Sequence, residues 1–256
     1  MTSFGVNAAG MTDQGRIRRM NMDCFLVNRT LNLYAVADGI ESAPYSEMAS
    51  RMAVEQLEKM IKELDFSNDA TPPFDDHPGL PLQARALKYA FREVNRVVHQ
   101  FSQTDRKYNG MGTTLTAIWI DQGRVYGSHV GDSRAYLIRR DMPQHLTSDH
   151  TSLSDRSPDR ARDIEQYEEI MHTSEHELSR AIGINPDVQV QLAGGASAVG
   201  DHFVLCTDGL YGQLRDFEIV EIATKNTPQL ACRKLIHAAN QAGGKDNVAV
   251  VVVSLE

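Results

Sequence analysis

Two apolar runs of the sequence end in the same pair of residues, an aspartate followed by a glycine. One run reads LYAVADGI and the other FVLCTDGL, which places Asp38 and Asp208 directly after strand-like segments. Asp132 in HVGDSRAY and Asp246 in GGKDN stand at comparable points beside apolar runs. A single Asp-Gly pair indicates only a turn, because Asp tolerates turn geometry and Gly supplies positive φ. Four such acids in one chain favour a shared site instead.

Carboxylates that converge at strand ends repel one another unless protons or a cation neutralise them. The glycine after Asp38, Gly39, lets its own backbone carbonyl approach an ion closely. Oxygen ligands without His or Cys companions select hard cations, Mg²⁺ or Mn²⁺ before Zn²⁺. Two such ions that share a water molecule lower its pKa and provide a nucleophile for in-line attack at phosphorus. The acids therefore predict a two-ion site for the hydrolysis of a phosphate ester.

A basic cluster lies upstream of the first of these acids. The segment GRIRRMNMD contains Arg16, Arg18 and Arg19. Such a cluster is often only a solvated surface, but a guanidinium fork matches the geometry of phosphate. We predict that one of the three binds the substrate's phosphate, and the residue types alone do not distinguish among them.

Short runs rich in branched and aromatic residues, bounded by Gly, Asn or Asp, predict strands at both ends of the chain. These strands are Phe25–Val27, Leu31–Ala37, Thr113–Ile120, Arg124–His129, Ala135–Arg139, Val188–Leu192, Phe203–Thr207 and Val248–Leu255. Asp121-Gln122-Gly123 predicts a hairpin turn between two of them. Strands that meet in hairpins, rather than alternating with helices, indicate an α+β layered domain and not a doubly wound parallel sheet.

Apolar residues at helical spacing predict three helices. The first runs from a capping Ser46 to about Leu64, and the second from about Leu82 to Phe101. The third begins at Thr227-Pro228 and ends at Gly243-Gly244. The charged segment from Ser148 to about Ser179 is poor in apolar residues and predicts an insertion rather than core.

The length, net charge and composition of the chain exclude several classes of protein. A chain of 256 residues fits one large domain, and a net charge of -8 argues against nucleic-acid binding. No run approaches the roughly 18 apolar residues that a membrane span needs, so no membrane association is expected. The N-terminus lacks a signal-peptide pattern, and the three cysteines are scattered. We therefore expect a cytoplasmic protein.

The chain resembles the protein phosphatase 2C family, its bacterial single-domain branch above all, in a set of motifs that follow the family's order. These motifs are TDQGRIRRMNMDCF, YAVADG, SEMAS, GMGTTLTA, HVGDSRAYL, LSRAIG, LCTDGL and GGKDNVAVVVV, from about Thr12 to Val253. The resemblance implies an α+β fold, a β-sandwich of two antiparallel sheets flanked by helix pairs in four layers. It also implies a single phosphatase domain over residues 1–256, with a flap insertion at about 148–179.

The activity that the resemblance implies is Mg²⁺- or Mn²⁺-dependent removal of phosphate from phosphoserine and phosphothreonine in proteins. Metal-bound water attacks directly, without a phosphoenzyme. The implied partners are phosphorylated proteins and a cognate Ser/Thr protein kinase.

By position, the resemblance implies that Asp38 bridges two metal ions and that the Gly39 carbonyl binds one of them. Asp208 and Asp246 hold the other ion. Asp132 fits the acid that, together with Asp208, binds a third and weaker ion in bacterial members of the family.

Three further assignments follow from the resemblance. Arg18 falls at the family's phosphate-binding arginine, three residues before Asn21, and joins the acids in the catalytic set. Asn247 orients the loop of Asp246. The segment Ser148–Ser179 matches the flap, which lies beside the site and varies with the substrate.

Two departures from the family pattern fall at the site. Met22 stands where the family has a glutamate that helps to hold metal-bound water, and methionine cannot replace it. Ile40–Ala43 stands where the bacterial pattern is Met-Gly-Gly-His, so the usual histidine is missing and no general acid is assigned. Glu41 is the candidate that partly compensates for the lost glutamate from a shifted loop.

These departures leave a second hypothesis open, a regulatory or phosphoprotein-binding protein that has lost turnover on the same fold. Other phosphoryl enzymes fit less well. A haloacid-dehalogenase-type phosphatase needs an Asp where Ile40 stands, and a calcineurin-type phosphoesterase needs His ligands in contexts that the sequence lacks. His129 is interpreted as a strand residue, and His150 as an ordinary residue at the head of the insertion.

Overall fold

The computed structural model describes residues 5–64, 79–152 and 178–256. Within them, ten strands form two five-stranded sheets in which every paired neighbour is antiparallel. The first sheet has the order β1 (Val6–Asp13), β10 (Val248–Leu255), β9 (His202–Cys206), β6 (Arg134–Arg139) and β7 (Met142–His145). The second has the order β2 (Cys24–Asn28), β3 (Leu33–Ala37), β4 (Leu115–Asp121), β5 (Arg124–Val130) and β8 (Gln191–Ala196).

Helices cover the outer face of each sheet. The helices are α1 (Ser46–Glu63), α2 (Leu82–Ser102), α3 (Asp208–Tyr211), α4 (Asp216–Thr224) and α5 (Pro228–Gln241), with a 3₁₀ turn at Arg106–Tyr108. Apolar residues of α1 and α2 form one cluster with the second sheet, and those of α3, α4 and α5 form another with the first sheet. The predicted α+β sandwich with four layers is therefore confirmed.

The alternation of side chains along a strand builds these layers. In β10, Val250 faces the helices, whereas Val251 faces the opposite sheet. In β3, Ala35 packs toward α1 and α2, and Tyr34 and Val36 fill the space between the sheets. Both faces of these strands are buried, which explains why they read as continuous apolar runs instead of alternating ones.

The helices agree with the sequence-based predictions to within two residues at each end, except for one cap. The predicted cap Ser46 is instead the first helical residue, and Tyr45 precedes it with a left-handed φ of 55°. The Ser46 hydroxyl donates to the Ile40 carbonyl at 2.7 Å, so it fastens the preceding loop and does not cap the helix.

Two strands and two short helices were not predicted. Strand β1 contains Gly10 and few branched residues, and its strand structure follows from pairing with β10 along its whole length. Strand β7 is a short edge strand that contains Pro143. The helices α3 and α4 are too short to show a helical period in the sequence.

The strand predicted at Val188–Leu192 lies at Gln191–Ala196 instead, because β8 continues through Gly194 and Gly195. Gly194 has a φ of 140°, and a Cβ there would collide with the Val125 carbonyl of β5. Close approach to β5 therefore requires glycine at position 194. The hairpin between β4 and β5 is confirmed, with positive φ at Gln122 and Gly123.

The predicted insertion falls mostly on residues 153–177, which lie outside the described residues, so the flap and the single-domain organisation stay predictions. Among the helices that the structure describes, none is long and apolar enough to cross a membrane. The cytoplasmic location likewise stays a prediction.

Gly10 offers a test of how tightly the two sheets pack. A Cβ at this position would collide with the ring of Phe25 and lie 2.9 Å from a methyl group of Val27. Gly10→Ala is expected to lower the free energy of unfolding by about 1–3 kcal/mol, because overpacking forces neighbouring side chains from their rotamers. Urea unfolding measures the change.

Gly195→Ala in β8 is the matched control, because a Cβ there meets no heavy atom within 4 Å. This control should be as stable as the wild type or slightly more so, since alanine restricts the unfolded chain. Equal destabilisation by both substitutions would contradict tight packing at Gly10.

Candidate active site

The structure brings the strand-end acids together in one pocket of about 770 Å³. All the sequence-predicted site residues line this pocket: Arg18, Asp38, Gly39, Asp132, Asp208 and Asp246. They come from the ends of β3, β5 and β9, from the loop before β10 and from the segment between β1 and β2. Arg16 and Arg19 are exposed and are not among the lining residues, so Arg18 is the member of the basic cluster that faces the pocket. Arg180, from the LSRAIG motif, lines the pocket as well.

Two threonines hold the backbone of Asp38. The Thr113 hydroxyl donates to the Asp38 carbonyl at 2.7 Å, and the Thr114 N–H donates to the same oxygen at 2.8 Å. In return, the Asp38 N–H donates to the Thr114 hydroxyl at 2.9 Å. The GTT sequence before β4 therefore fixes the point at which β3 ends and the acid begins.

Close packing explains the glycine that follows. A Cβ on Gly39 would lie 2.7 Å from the Ser46 carbonyl oxygen and 2.9 Å from the Met22 Cβ. The first turn of α1 and the Met22 segment thus pack directly against the Gly39 backbone. Any larger residue would push both away from Asp38.

Asp208 is the first residue of α3, and Thr207, the residue before it, forms a hydrogen bond with another acid, Asp23. The Thr207 hydroxyl donates to Asp23 at 2.7 Å, and the same hydroxyl accepts from the Ala249 N–H at 2.9 Å. A Cβ on Gly209 would collide with the Asn247 carbonyl, so α3 packs tightly on the loop before β10. The β9 and β10 acids are thereby held beside each other.

Asn247 fastens the Asp246 loop to the segment that contains Arg18. Its side-chain amide donates to the carbonyls of Gln14 and Met20 at 2.8 and 2.9 Å. Its side-chain oxygen accepts from the Met22 N–H at 2.9 Å. These bonds agree with the orienting role that the resemblance implied for Asn247.

Asp132 lies in the turn between β5 and β6, where Gly131 has a φ of 112°. The Tyr211 hydroxyl at the end of α3 donates to the Asp132 carbonyl at 3.0 Å. The Arg134 guanidinium lies 3.7 Å from the Tyr211 ring centroid and forms a bidentate pair with Asp149. This stack connects the Asp132 turn with α3.

Burial and like charge raise the pKa values of these acids. Burial first, and then the charges of Asp23 and Asp208, raise the pKa of Asp38 well above its usual range. Burial also raises the pKa of Asp23 to about 7, against a hydrogen bond from Thr207. The pKa of Asp132 rises to about 7 for the same reason, with a further contribution from Asp208. The pocket thus holds carboxyl groups that favour either protons or an added cation.

The chemistry of the candidate ligand atoms fits hard divalent cations. Its members are carboxylate and carbonyl oxygens, and Asp23 Oδ1 is buried without a hydrogen-bond partner. Within the described ranges, however, no three His, Cys, Asp or Glu side chains are already gathered around one point that could hold a metal ion. In this arrangement the Arg18 guanidinium supplies the positive charge beside Asp246.

Arg18 has partners that the sequence did not predict. Its Nε and Nη2 donate to the two carboxylate oxygens of Asp246 at 2.8 and 2.6 Å. Its Nη1 forms an ion pair with Glu41, the residue that we expected to compensate for the glutamate missing at Met22. Glu41 therefore contacts the arginine of the site.

His129 and His150 pack against each other behind the turn of Gly131. His129 is fully buried in β5 beside Thr116, and burial lowers its pKa to about 3. His150 accepts from the Gly131 N–H at 3.2 Å and stacks on His129 with ring centroids 4.6 Å apart. Neither is among the described residues that line the pocket.

Sequence reasoning missed Asp23 and two residues that line the pocket, Arg180 and Ile184. Asp23 belongs to the Asn21-Met22-Asp23 motif, so that motif was the available signal. No signal in the sequence indicated Ile184. Its position depends on α2, because the Asn95 side-chain oxygen in that helix accepts from the Gly183 N–H at 2.8 Å.

Comparison with known proteins identifies relatives over nearly the whole chain. The sequence profile of protein phosphatase 2C matches residues 20–241. The serine/threonine phosphatase stp of Listeria innocua is 31% identical over 252 residues, covering 97% of this chain and 95% of that protein. The solved serine/threonine phosphatase PstP/Ppp of Mycobacterium tuberculosis is 30% identical, covers 98% of this chain and 99% of its own, and has a TM-score of 0.80.

A second solved structure contains metal ions. The catalytic domain of the serine/threonine protein phosphatase PstP, in complex with 2 manganese ions, is 28% identical with a TM-score of 0.79 and covers 99% of both chains.

The raised pKa of Asp132 predicts how stability depends on pH in the presence of a chelator. The carboxyl group has a usual pKa of 3.8 and a folded value of about 7, so the folded state retains a proton that the unfolded state releases. The stability that this retained proton contributes is fully present below pH 3.8 and is lost as the pH rises through about 7. Asp132→Asn is expected to reduce the fall in the free energy of unfolding between pH 5 and pH 8.

Urea unfolding with EDTA at the two pH values measures this difference. Asp141→Asn, at the exposed turn between β6 and β7, is the matched control and should retain the wild-type dependence. Comparing variant with wild type cancels the other titrating groups, among them His129. An identical pH dependence in Asp132→Asn and wild type would contradict the prediction.

Proposed function

Because this chain belongs to the protein phosphatase 2C family, we propose that it hydrolyses phosphoserine and phosphothreonine in proteins with the help of Mn²⁺ or Mg²⁺. One observation carries the proposal: strand-end acids and two arginines, Arg18 and Arg180, far apart in sequence, line a single pocket. The relatives named as serine/threonine phosphatases favour an active enzyme over a binding protein without turnover.

We propose that Asp38 and the Gly39 carbonyl hold two core ions together with Asp208 and Asp246. Asp132 joins Asp208 at a third, weaker position. Oxygen donors and mutually raised carboxyl pKa values support this assignment. The related PstP structure with 2 manganese ions supports a two-ion core. When bound, the ions supply positive charge at the phosphate and lower the pKa of the attacking water.

The chain's own residues perform the positioning. Arg18 presents guanidinium N–H groups to the pocket and is proposed to bind the substrate's phosphate, where its charge offsets that of the equatorial oxygens. Thr113 and Thr114 keep Asp38 at the end of β3, and Asn247 keeps Asp246 near Arg18. No general acid is assigned to the leaving group.

The proposed substrates are phosphorylated proteins, and a Ser/Thr protein kinase is the proposed source of their phosphate esters. The relatives' names support the first proposal. A partner kinase follows only from the chemistry, since an enzyme that removes these esters requires another that forms them.

Asp38→Asn tests the metal-bridging role. It is expected to abolish turnover of a phosphothreonine peptide, because loss of one shared carboxylate removes the charge that holds both ions. The measurement is kcat with Mn²⁺, with Mg²⁺ and with chelator, alongside Mn²⁺ binding by calorimetry.

Asp141→Asn serves as the matched control and should retain wild-type turnover. Near-normal rates in a folded, metal-loaded Asp38→Asn protein would refute the assignment. A wild-type protein that binds Mn²⁺ and phosphopeptide without turnover would support the binding-protein alternative, with Met22 and Ile40–Ala43 as the cause.

Arg18→Ala tests the phosphate-binding role. It is expected to raise KM for a phosphopeptide by about 10-fold or more, since a charge-assisted pair contributes about 1.5–3 kcal/mol. Arg19→Ala is the control, because Arg19 is exposed outside the pocket. Steady-state kinetics with unchanged KM and kcat in Arg18→Ala would transfer the role to another cation.

A further inference from the structure

The carboxylate of Glu41 already occupies one end of Arg18, the proposed phosphate-binding arginine. Its carboxylate pairs with Arg18 Nη1, and both residues line the pocket. The Glu41 side chain is 63% exposed, whereas that of Arg18 is only 23% exposed. A mostly buried cation therefore faces a carboxylate that has free access to water.

The donors of Arg18 show which part of the guanidinium Glu41 covers. A guanidinium has five N–H donors in one plane. Asp246 accepts from Nε and Nη2, along one edge of the fork. The Nη1 end remains for a substrate oxygen, and Glu41 is the residue paired with it.

The backbone of the Glu41 loop is well anchored. The Ile40 N–H donates to the Gly112 carbonyl at 3.1 Å, and the Ala43 N–H donates to the Ile40 carbonyl at 3.0 Å. The Ser46 hydroxyl also donates to the Ile40 carbonyl at 2.7 Å. Glu41 is thus held at the pocket rim by its backbone, while its exposed side chain is free to change rotamer.

We propose that Glu41 is an internal competitor for the phosphate-binding end of Arg18, and so a determinant of how weakly this site holds phosphate. The proposal rests on the proposed function of Arg18. An arriving phosphate dianion carries more charge than the carboxylate and displaces it from Nη1. The displaced carboxylate moves into water, where hydration stabilises it.

The competition weakens the binding of any phosphate group that needs the Nη1 end of Arg18. Inorganic phosphate binds within the pocket alone, where Arg180 lies among the lining residues together with Arg18, whereas a phosphoprotein also makes contacts outside the pocket. Return of Glu41 to Arg18 favours departure of the product phosphate. Glu41 thereby weakens the site for the free ion and for a phosphorylated protein by the same factor, and only the protein offsets that loss with contacts elsewhere.

Glu41→Gln tests the proposal, because it removes the charge and preserves the shape of the side chain. Calorimetric titration of the Mg²⁺-loaded protein with inorganic phosphate is expected to give a Kd about two- to fivefold lower than that of the wild type, the range for an exposed ion pair. The inhibition constant of phosphate against a small phosphate ester should fall by the same factor. Glu41→Ala, which removes the carboxylate altogether, should change Kd in the same direction.

Glu55→Gln is the matched control, since Glu55 is an exposed acid further along α1 and lies outside the described lining of the pocket. It changes the net charge equally and should leave the Kd of phosphate unchanged. In an Arg18→Ala background, Glu41→Gln should no longer strengthen phosphate binding.

Unchanged or weaker phosphate binding by a folded Glu41→Gln protein would overturn the proposal. A loss of Mg²⁺ affinity in the same variant, measured in a separate titration without phosphate, would also overturn it, because Glu41 would then be a cation ligand. If Arg18→Ala itself leaves phosphate binding intact, the proposed role of Arg18 fails. That outcome is distinct from a result in which only the proposed role of Glu41 fails.

Discussion

Mutual repulsion among buried carboxyl groups is the constraint on which the rest of this structure depends. Asp38 lies beside Asp23 and Asp208, and burial adds to the cost of charging it. Left to themselves, these groups would move apart or draw in water. The chain opposes that movement with threonine hydroxyls, close-packed glycines and the side chain of Asn247. Stability and function therefore conflict here, as expected for a site that must attract cations.

The sandwich makes such a concentration of charge possible. Strands with both faces buried form a stiff central layer, and the acids lie just beyond their ends, where the backbone no longer takes part in the sheets. Helices on both outer faces keep water from the strands without covering the edge at which the pocket opens. The apolar layers thus contribute the free energy of folding, and the edge accommodates the unfavourable contacts.

Much of this could be predicted from the sequence, because the signals were local. The run that ends in Asp38 contains both the strand and the turn, and Pro228 indicates the start of its helix. Strand β1 could not be predicted, since its structure comes from its partner β10. The same reason explains the unforeseen partners of Arg18: Asp246 lies 228 residues away, and no periodicity connects them. Contacts between distant segments depend on the completed fold.

The pairing of β1 with β10 has a consequence for the time at which the site can exist. Arg18 follows the first strand, and Asp246 precedes the tenth. Asn247 ties the two segments together. During synthesis from the N-terminus, the ribosome releases β10 long after β1 and the other eight strands. Until then the first sheet lacks a central strand, and the segment around Arg18 lacks its anchor. A nascent chain therefore has no assembled centre through most of its translation, because Asp208 and Asp246 are among the last residues to be added.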